Sequence, residues 1–405
     1  MYSLKENSEN KMILFKIAVF LYTFFIFSRS STAGISISSV LLILSLILFR
    51  SEWSQIKREP INNFLLCYII FFGALFLAAI ITKDTRVFDD TWRYFTWTIP
   101  FFVYYFSFSI YSFEGNYISG IALAILTIGC ATFYDIYMHL STISFFKNDI
   151  RGYFVSHNHL AMVLSITLPV LILSCVHYRK KITNRKWWIL LLTTIIGVFS
   201  LYISGSRGGF SGFILGFIAL ILGKYLLKRK LRYSVAAFFL ILVLLAGGAY
   251  GIYNSTENFQ RSYDKERVLL IESSYAMWND HKLYGVGFER WKDEYPKYIS
   301  PEAKEPDLPM PHNTIAYFFS TTGLIGGTGF LVYTIGIIVI LLKAISKYPS
   351  NLYYQAALWS FIALSIHGMV DTGITNKAAM QIISGVLGVA FASENCCMRT
   401  ISAHK

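Results

Sequence analysis

Between Asn62 and Thr82 the chain reads NNFLLCYIIFFGALFLAAIIT, without one Asp, Glu, Lys or Arg. About 20 apolar residues carry an α-helix across the roughly 30 Å hydrocarbon core of a bilayer. In lipid only helices and closed barrels satisfy their own backbone. Outward from this segment, similar runs lie near residues 12–28, 34–49, 94–112, 117–138, 159–177, 187–204, 209–227, 233–253, 322–343, 352–370 and 377–393. The expected fold is all-α: a polytopic integral membrane protein of about twelve transmembrane helices.

Composition points the same way. The 405 residues are 55% hydrophobic and 15% charged, with mean hydropathy +0.51. Soluble domains average about 25% charged residues, so too few charges remain to coat a water-exposed surface. The net charge of +13 would suit nucleic acid. The basic residues, however, cluster in short links between apolar runs, with no basic stripe on a soluble module, so no nucleic-acid partner is expected. Of the cysteines, Cys67, Cys130 and Cys175 lie within apolar runs and Cys396 and Cys397 near the C-terminus. That pattern argues against a disulfide framework; the adjacent pair is either reduced or acylated. The first apolar run, after Lys5 and Lys11 and before Ser30-Ser-Thr-Ala-Gly34, has the look of a signal peptide. A second run follows at once, which favours an uncleaved first helix.

The basic links set the orientation. Arg50, Lys57 and Arg58 follow the second run, and Arg179, Lys180, Lys181, Arg185 and Lys186 the sixth. Lys224, Lys228, Arg229, Lys230 and Arg232 flank the eighth link, and Lys343 and Lys347 follow the tenth run. All are even-numbered links, so the positive-inside bias places them, and both termini, in the cytoplasm. Two longer links then face outward, 139–158 and 254–313. The expected organisation is helices one to nine over 1–253, one large, partly helical periplasmic loop with the candidate catalytic residues over 254–313, and helices ten to twelve with a cytoplasmic tail over 314–405. The large loop holds nearly half of the chain's 23 acidic residues. A loop this long is usually functional. Within it, Tyr263–Lys282 has helical spacing, with Arg267, Ile271, Ser274, Tyr275 and Trp278 on one face. Tyr284-Gly-Val-Gly-Phe288 breaks that helix, and Pro301, Pro306, Pro309 and Pro311 keep the remainder irregular.

Five constellations carry candidate chemistry. Ser204-Gly-Ser-Arg-Gly-Gly209 is either an anion site, with Arg207 beside helix-start N–H groups, or a turn whose arginine snorkels. Arg261 and Arg267, with Glu266, suit bidentate diphosphate binding or a solvated helix face. In Pro311-His312-Asn313, the histidine is a general base or a fixed surface residue. Asn158, within Ser156-His-Asn-His159, reads first as a helix cap. His367 and Asp371, at i and i+4, are a structural pair or a proton path. No nucleotide-phosphate loop or zinc spacing occurs, and Asp89-Asp90 alone is a weak metal candidate.

Asn158, Ser204-Gly-Ser-Arg-Gly-Gly209, Arg267…Trp278-Asn-Asp-His-Lys-Leu-Tyr-Gly-Val-Gly287 and Pro311-His-Asn-Thr314 with Thr322-Gly-Leu-Ile-Gly326 together resemble the O-antigen ligase and polymerase family of bacterial envelope enzymes. The resemblance runs over roughly residues 150–345, and the order and spacing of the motifs carry it more than any one of them. It implies a glycosyltransferase of the bacterial inner membrane with a periplasmic active site and neither cofactor nor metal. The donor would be an undecaprenyl-diphosphate-linked glycan. In the ligase branch the acceptor is the lipid A–core oligosaccharide. By motif, Arg207 and Arg267 would bind the donor diphosphate and His312 would activate or orient the acceptor hydroxyl. Arg261 is a second candidate for the loop arginine. Ser206, Gly208, Asn313, Asn158 and Trp278 would line the substrate site, in contact with membrane lipids. The single dominant outer loop and the Pro311-His-Asn-Thr314 form favour a ligase over a repeat-unit polymerase or a protein-glycosylating enzyme. A lipid-linked-glycan flippase would use the same arginines without a base, but no internal repeat of the transporter kind is found.

Overall fold

The computed structural model describes residues 2–56, 59–140, 150–226 and 262–403, and these are helical with no strands. The predicted span 233–253, the first part of the large loop and Arg261 lie outside the described residues. Among the described residues, seven helices are long and apolar enough to cross a membrane. These are α1 (Tyr2–Ser28), α3 (Glu59–Thr82), α6 (Glu114–Met138), α7 (His157–Tyr178), α8 (Asn184–Ile203), α9 (Arg207–Leu226) and α12 (Thr314–Lys347). The all-α membrane architecture therefore holds, while the predicted count of twelve is not reached on this measure. α2 (Thr32–Leu48) is apolar but shorter, and α13 (Leu352–His367) has 16 residues. α14 (Lys377–Ala403) closes the chain.

The span expected at 94–112 is corrected. It is two helices of 12 residues each, α4 (Thr85–Thr96) and α5 (Ile99–Ile110). At about 1.5 Å per residue neither would cross a bilayer alone. Asp84 starts α4 by accepting from the Arg86 N–H at 2.9 Å. Pro100 sits in the first turn of α5, where its missing N–H costs nothing. The Asp90 carboxylate is an ion-pair anchor to Arg93 and Arg290 rather than half of a metal site. It ties α4 to the large loop.

Packing centres on α7, α13 and α14. α13 packs on α9 and α7, and α14 packs on α5 and α13. Nearly every side chain of α13 from Leu352 to Leu364 is buried. Small residues set the close crossings. A Cβ on Gly216 would fall 2.7 Å from the Trp359 ring, and one on Gly388 would fall 2.4 Å from the Phe101 carbonyl oxygen.

The loop helix expected at Tyr263–Lys282 is α10 (Ser262–Asp280). The face with Arg267, Ile271, Ser274, Tyr275 and Trp278 is not the most deeply buried one. Leu270, Ser273, Ser274 and Met277 are buried, whereas Ile271 and Tyr275 are exposed. Ser274 faces inward because the Trp291 indole, from α11 (Trp291–Glu294), donates to its Oγ at 3.0 Å. Glu266 closes the loop on itself by accepting from the Lys304 N–H at 3.0 Å and the Glu305 N–H at 3.2 Å.

α12 extends the span predicted at 322–343 toward the N-terminus, but it breaks at Gly323, with φ 63° and ψ −160°. This region of backbone space is essentially open to glycine alone. In an unbroken helix the N–H groups of Leu324 and Ile325 would donate to the carbonyls of Ser320 and Thr321. The loop takes over both ends of both bonds. Leu324 and Ile325 donate to the carbonyls of Lys282 and Leu283 at 2.7 and 3.1 Å. The Ser320 and Thr321 carbonyls accept from Val286 and Gly287 at 2.9 and 2.8 Å. The N–H groups of Leu324 and Ile325 and the carbonyls of Ser320 and Thr321 are thus all paired, as burial requires. Tyr284-Gly-Val-Gly-Phe288 and Thr322-Gly-Leu-Ile-Gly326 are the two halves of this clamp.

Candidate active site

His312 lies immediately before α12. Asn313 caps the helix, its Oδ1 accepting from the Ala316 N–H at 2.9 Å and its Nδ2 donating to the Met369 carbonyl at 3.0 Å. Thr314 donates its N–H to the Gly368 carbonyl at 2.7 Å. The segment after α13 thus holds the entry to α12 from the side. Between these restraints His312 adopts φ 50°, the left-handed region that non-glycine residues rarely occupy. Strain of this kind persists only where the surroundings over-determine it, and it gathers at functional sites.

The Asp371 carboxylate faces His312 Nδ1 at 3.2 Å and accepts from the Thr372 N–H at 2.6 Å. The expected His367–Asp371 side-chain pair is corrected accordingly. The Asp371 N–H does close on the His367 carbonyl at 3.0 Å, but that turn aims the carboxylate at His312. The Asp371 side chain is 10% exposed and that of His312 26%. Burial alone would raise the Asp371 carboxyl. The hydrogen bond and charge of His312, the charge of His367 and the Thr372 N–H outweigh it and hold the group at about 2, below its ordinary 3.8. A depressed carboxylate contributes stability above its unfolded pKa and loses it as pH falls through the folded one. Asp371 is therefore expected to contribute about 2 kcal/mol above about pH 4, fading toward pH 2. Thermal unfolding in detergent across that window should show the decline in wild type and a flatter response in Asp371→Asn.

Arg207 is the first residue of α9, and its side chain is exposed. The turn before it is built by Gly205, at φ 71°, and by two serines. Ser204 Oγ accepts from the Ser206 N–H, and Ser206 Oγ accepts from the Gly209 N–H, both at 3.3 Å. Ser206 Oγ also donates to Asn158 Oδ1 at 2.7 Å. Asn158 is therefore not the cap of α7. Ser156 has that role, accepting from the His159 N–H at 3.2 Å, and Asn158 pins the Arg207 turn to α7. Gly208 and Gly209 let neighbours approach closely. A Cβ at Gly208 would fall 2.7 Å from Val370 Cγ2 and 3.4 Å from His367 Nδ1, and one at Gly209 2.5 Å from Ala161 Cβ.

Arg267 is half-buried on α10, and its charge acts on His367. His367 itself is buried beside Gly208. His312, Asp371, His367, the Arg207 turn, Asn158 and Arg267 thus gather at one end of the bundle. Trp278 is half-buried with its ring edge-on to Phe319 at 6.2 Å. Among the described residues its indole N–H has no hydrogen-bond partner. Two features of the site are not legible from local pattern. Asp371 pairs with His312 rather than His367, because helical spacing says nothing about a carboxylate beyond the last turn. Arg29, which acts electrostatically on His159, was not singled out. The available signal was an arginine in a link that the charge rule assigns to the outer, cation-poor side.

No curated protein matches the chain. Residues 192–331, from within α8 to just past the break in α12, match the family model described as O-antigen ligase. That segment contains Arg207, Arg267 and His312, and the match supports a place for this multi-pass membrane protein in the O-antigen ligase/polymerase family.

Proposed function

We propose that the protein is an O-antigen ligase. It transfers an undecaprenyl-diphosphate-linked glycan to the lipid A–core oligosaccharide at the periplasmic face of the inner membrane. The observation that carries this reading is the His312–Asp371 pair, at 3.2 Å, in the same cluster as the Arg207 turn and Arg267. With Asp371 accepting at Nδ1, a neutral imidazole holds its proton there and keeps the Nε2 lone pair for an incoming hydroxyl. The acceptor oxygen attacks the anomeric carbon of the donor sugar and its proton passes to Nε2. The bond to the diphosphate oxygen breaks with its electron pair, and undecaprenyl diphosphate leaves. Attack opposite the leaving group inverts the anomeric centre. The guanidiniums of Arg207 and Arg267 supply fixed positive charge to the departing diphosphate, a role open to arginines as well as to metal ions.

The ligase assignment over the polymerase rests on the single dominant loop and the Pro311-His-Asn-Thr314 sequence. Lipopolysaccharide profiling of a deletion strain decides between them. A ligase leaves bare core while polymerised glycan accumulates on undecaprenyl diphosphate, and the wild-type gene restores the ladder. Core capped with a single repeat unit would instead identify the polymerase.

A further inference from the structure

Arg29 follows the last residue of α1, in a left-handed conformation at φ 58°. Its side chain is half-buried. One guanidinium nitrogen donates to Gln381 Oε1 on the first turns of α14 at 2.6 Å. Among the described residues no carboxylate lies within ion-pair distance of it. A guanidinium carries five N–H donors in a planar fork, and charges withdrawn from water are normally paired. A strained backbone and a counter-charge missing at one residue together describe a cation held ready for an anion.

Its surroundings identify the anion. The Arg29 charge acts on His159, which also feels Asp371 and His367. Beside His159 on α7, Asn158 accepts from Ser206 of the Arg207 turn. The link that bears Arg29 is fixed to the same region, for the Tyr153 hydroxyl donates to the Ser28 carbonyl at 2.5 Å. Arg29 therefore stands on the α1–α14 side of the N-terminus of α7, and Arg207 on its α9 side. We propose that Arg29 is a third cation of the donor site, binding the lipid diphosphate across the start of α7 from Arg207. This rests on the donor reading given above. Bidentate contact with phosphate oxygens suits Arg better than Lys.

The test is binding of undecaprenyl diphosphate to the full chain in nanodiscs, with undecaprenol as the uncharged control, alongside donor and acceptor KM. Arg29→Ala is expected to weaken diphosphate binding tenfold or more and to raise donor KM by a similar factor. Acceptor KM and undecaprenol binding should be unchanged, and Arg29→Lys should recover part of the loss. Gln381→Leu removes the Oε1 acceptor of the Arg29 guanidinium and should leave binding near wild type. Unchanged affinity in Arg29→Ala, or an equal loss in Gln381→Leu, overturns the assignment. Should Arg29→Ala not fold, Arg29→Lys decides: an intermediate loss supports the site and wild-type affinity overturns it. If Arg207→Ala weakens binding and Arg29→Ala does not, this inference alone fails. If neither does, the donor reading fails with it.

Discussion

Replacing His312 with alanine is expected to lower glycan transfer by about 10²–10⁴-fold, the usual contribution of a positioned general base. The change removes the group that, among the described residues, pairs with Asp371 and would present a basic nitrogen to an acceptor. It also leaves the Asp371 carboxylate buried without its partner, so a loss of stability would accompany the loss of activity. His312→Asn separates the two effects. Asparagine tolerates the left-handed backbone better than most residues, and its amide can donate to Asp371 from a similar position. This variant should unfold near the wild-type temperature while transfer remains lost, since an amide cannot accept a proton from a hydroxyl. The measurement is single-turnover transfer from a lipid-linked donor in nanodiscs, paired with thermal unfolding of each variant. More than a tenth of wild-type rate in His312→Asn would remove the histidine from the chemistry and leave it a structural role.

The largest structural effect is expected at the clamp. In Gly323→Ala the new Cβ would lie 2.3 Å from both Leu283 C and Tyr284 N, and in Gly285→Ala 2.3 Å from Thr321 C. These are backbone atoms, each held by hydrogen bonds of the same clamp, so no flexible side chain can turn away. Both glycines also have φ above 60°, where a Cβ is strained whatever the space. Either substitution must open the clamp, breaking up to four backbone hydrogen bonds. A loss of more than about 3 kcal/mol is expected, combining strain with unsatisfied buried groups. Fluorescence-detected size exclusion and thermal unfolding will show it as little or no folded protein. Gly115→Ala is the internal control, because a Cβ there meets nothing within 4 Å, and it should behave as wild type. Normal yield and unfolding temperature in Gly323→Ala would show that the α12 break is not required.

Much of this architecture is legible in the sequence. Apolar runs locate the helices because a bilayer demands length and the absence of charge, and α3 and α6 through α9 fall where the runs lie. The motif glycines mark places where only a missing Cβ allows the observed approach. Other features depend on partners far away in the chain. Nothing in the run 94–112 declares that it will divide at Trp97 and Thr98. The division is fixed in part by the Tyr68 hydroxyl, 2.6 Å from Thr98 Oγ1 across to α3. The buried face of α10 could not be read from spacing alone, because Trp291 selects Ser274 from the other side of the loop. The partner of His312 lies 59 residues away, beyond any local periodicity. Asn158 shows the same limit. Its residue type suits a cap, but Ser156 takes that role and frees the amide for a contact 48 residues distant.

The clamp at Gly323 also makes residues 282–287 and 320–325 one heritable unit. Each segment supplies the backbone hydrogen bonds that the other lacks, so a change of backbone path in one must be matched in the other. A graft that replaces the loop before α12 must carry the first turns of that helix along with it. A crossover placed between the two halves would break the molecule at a point that neither parent would reveal.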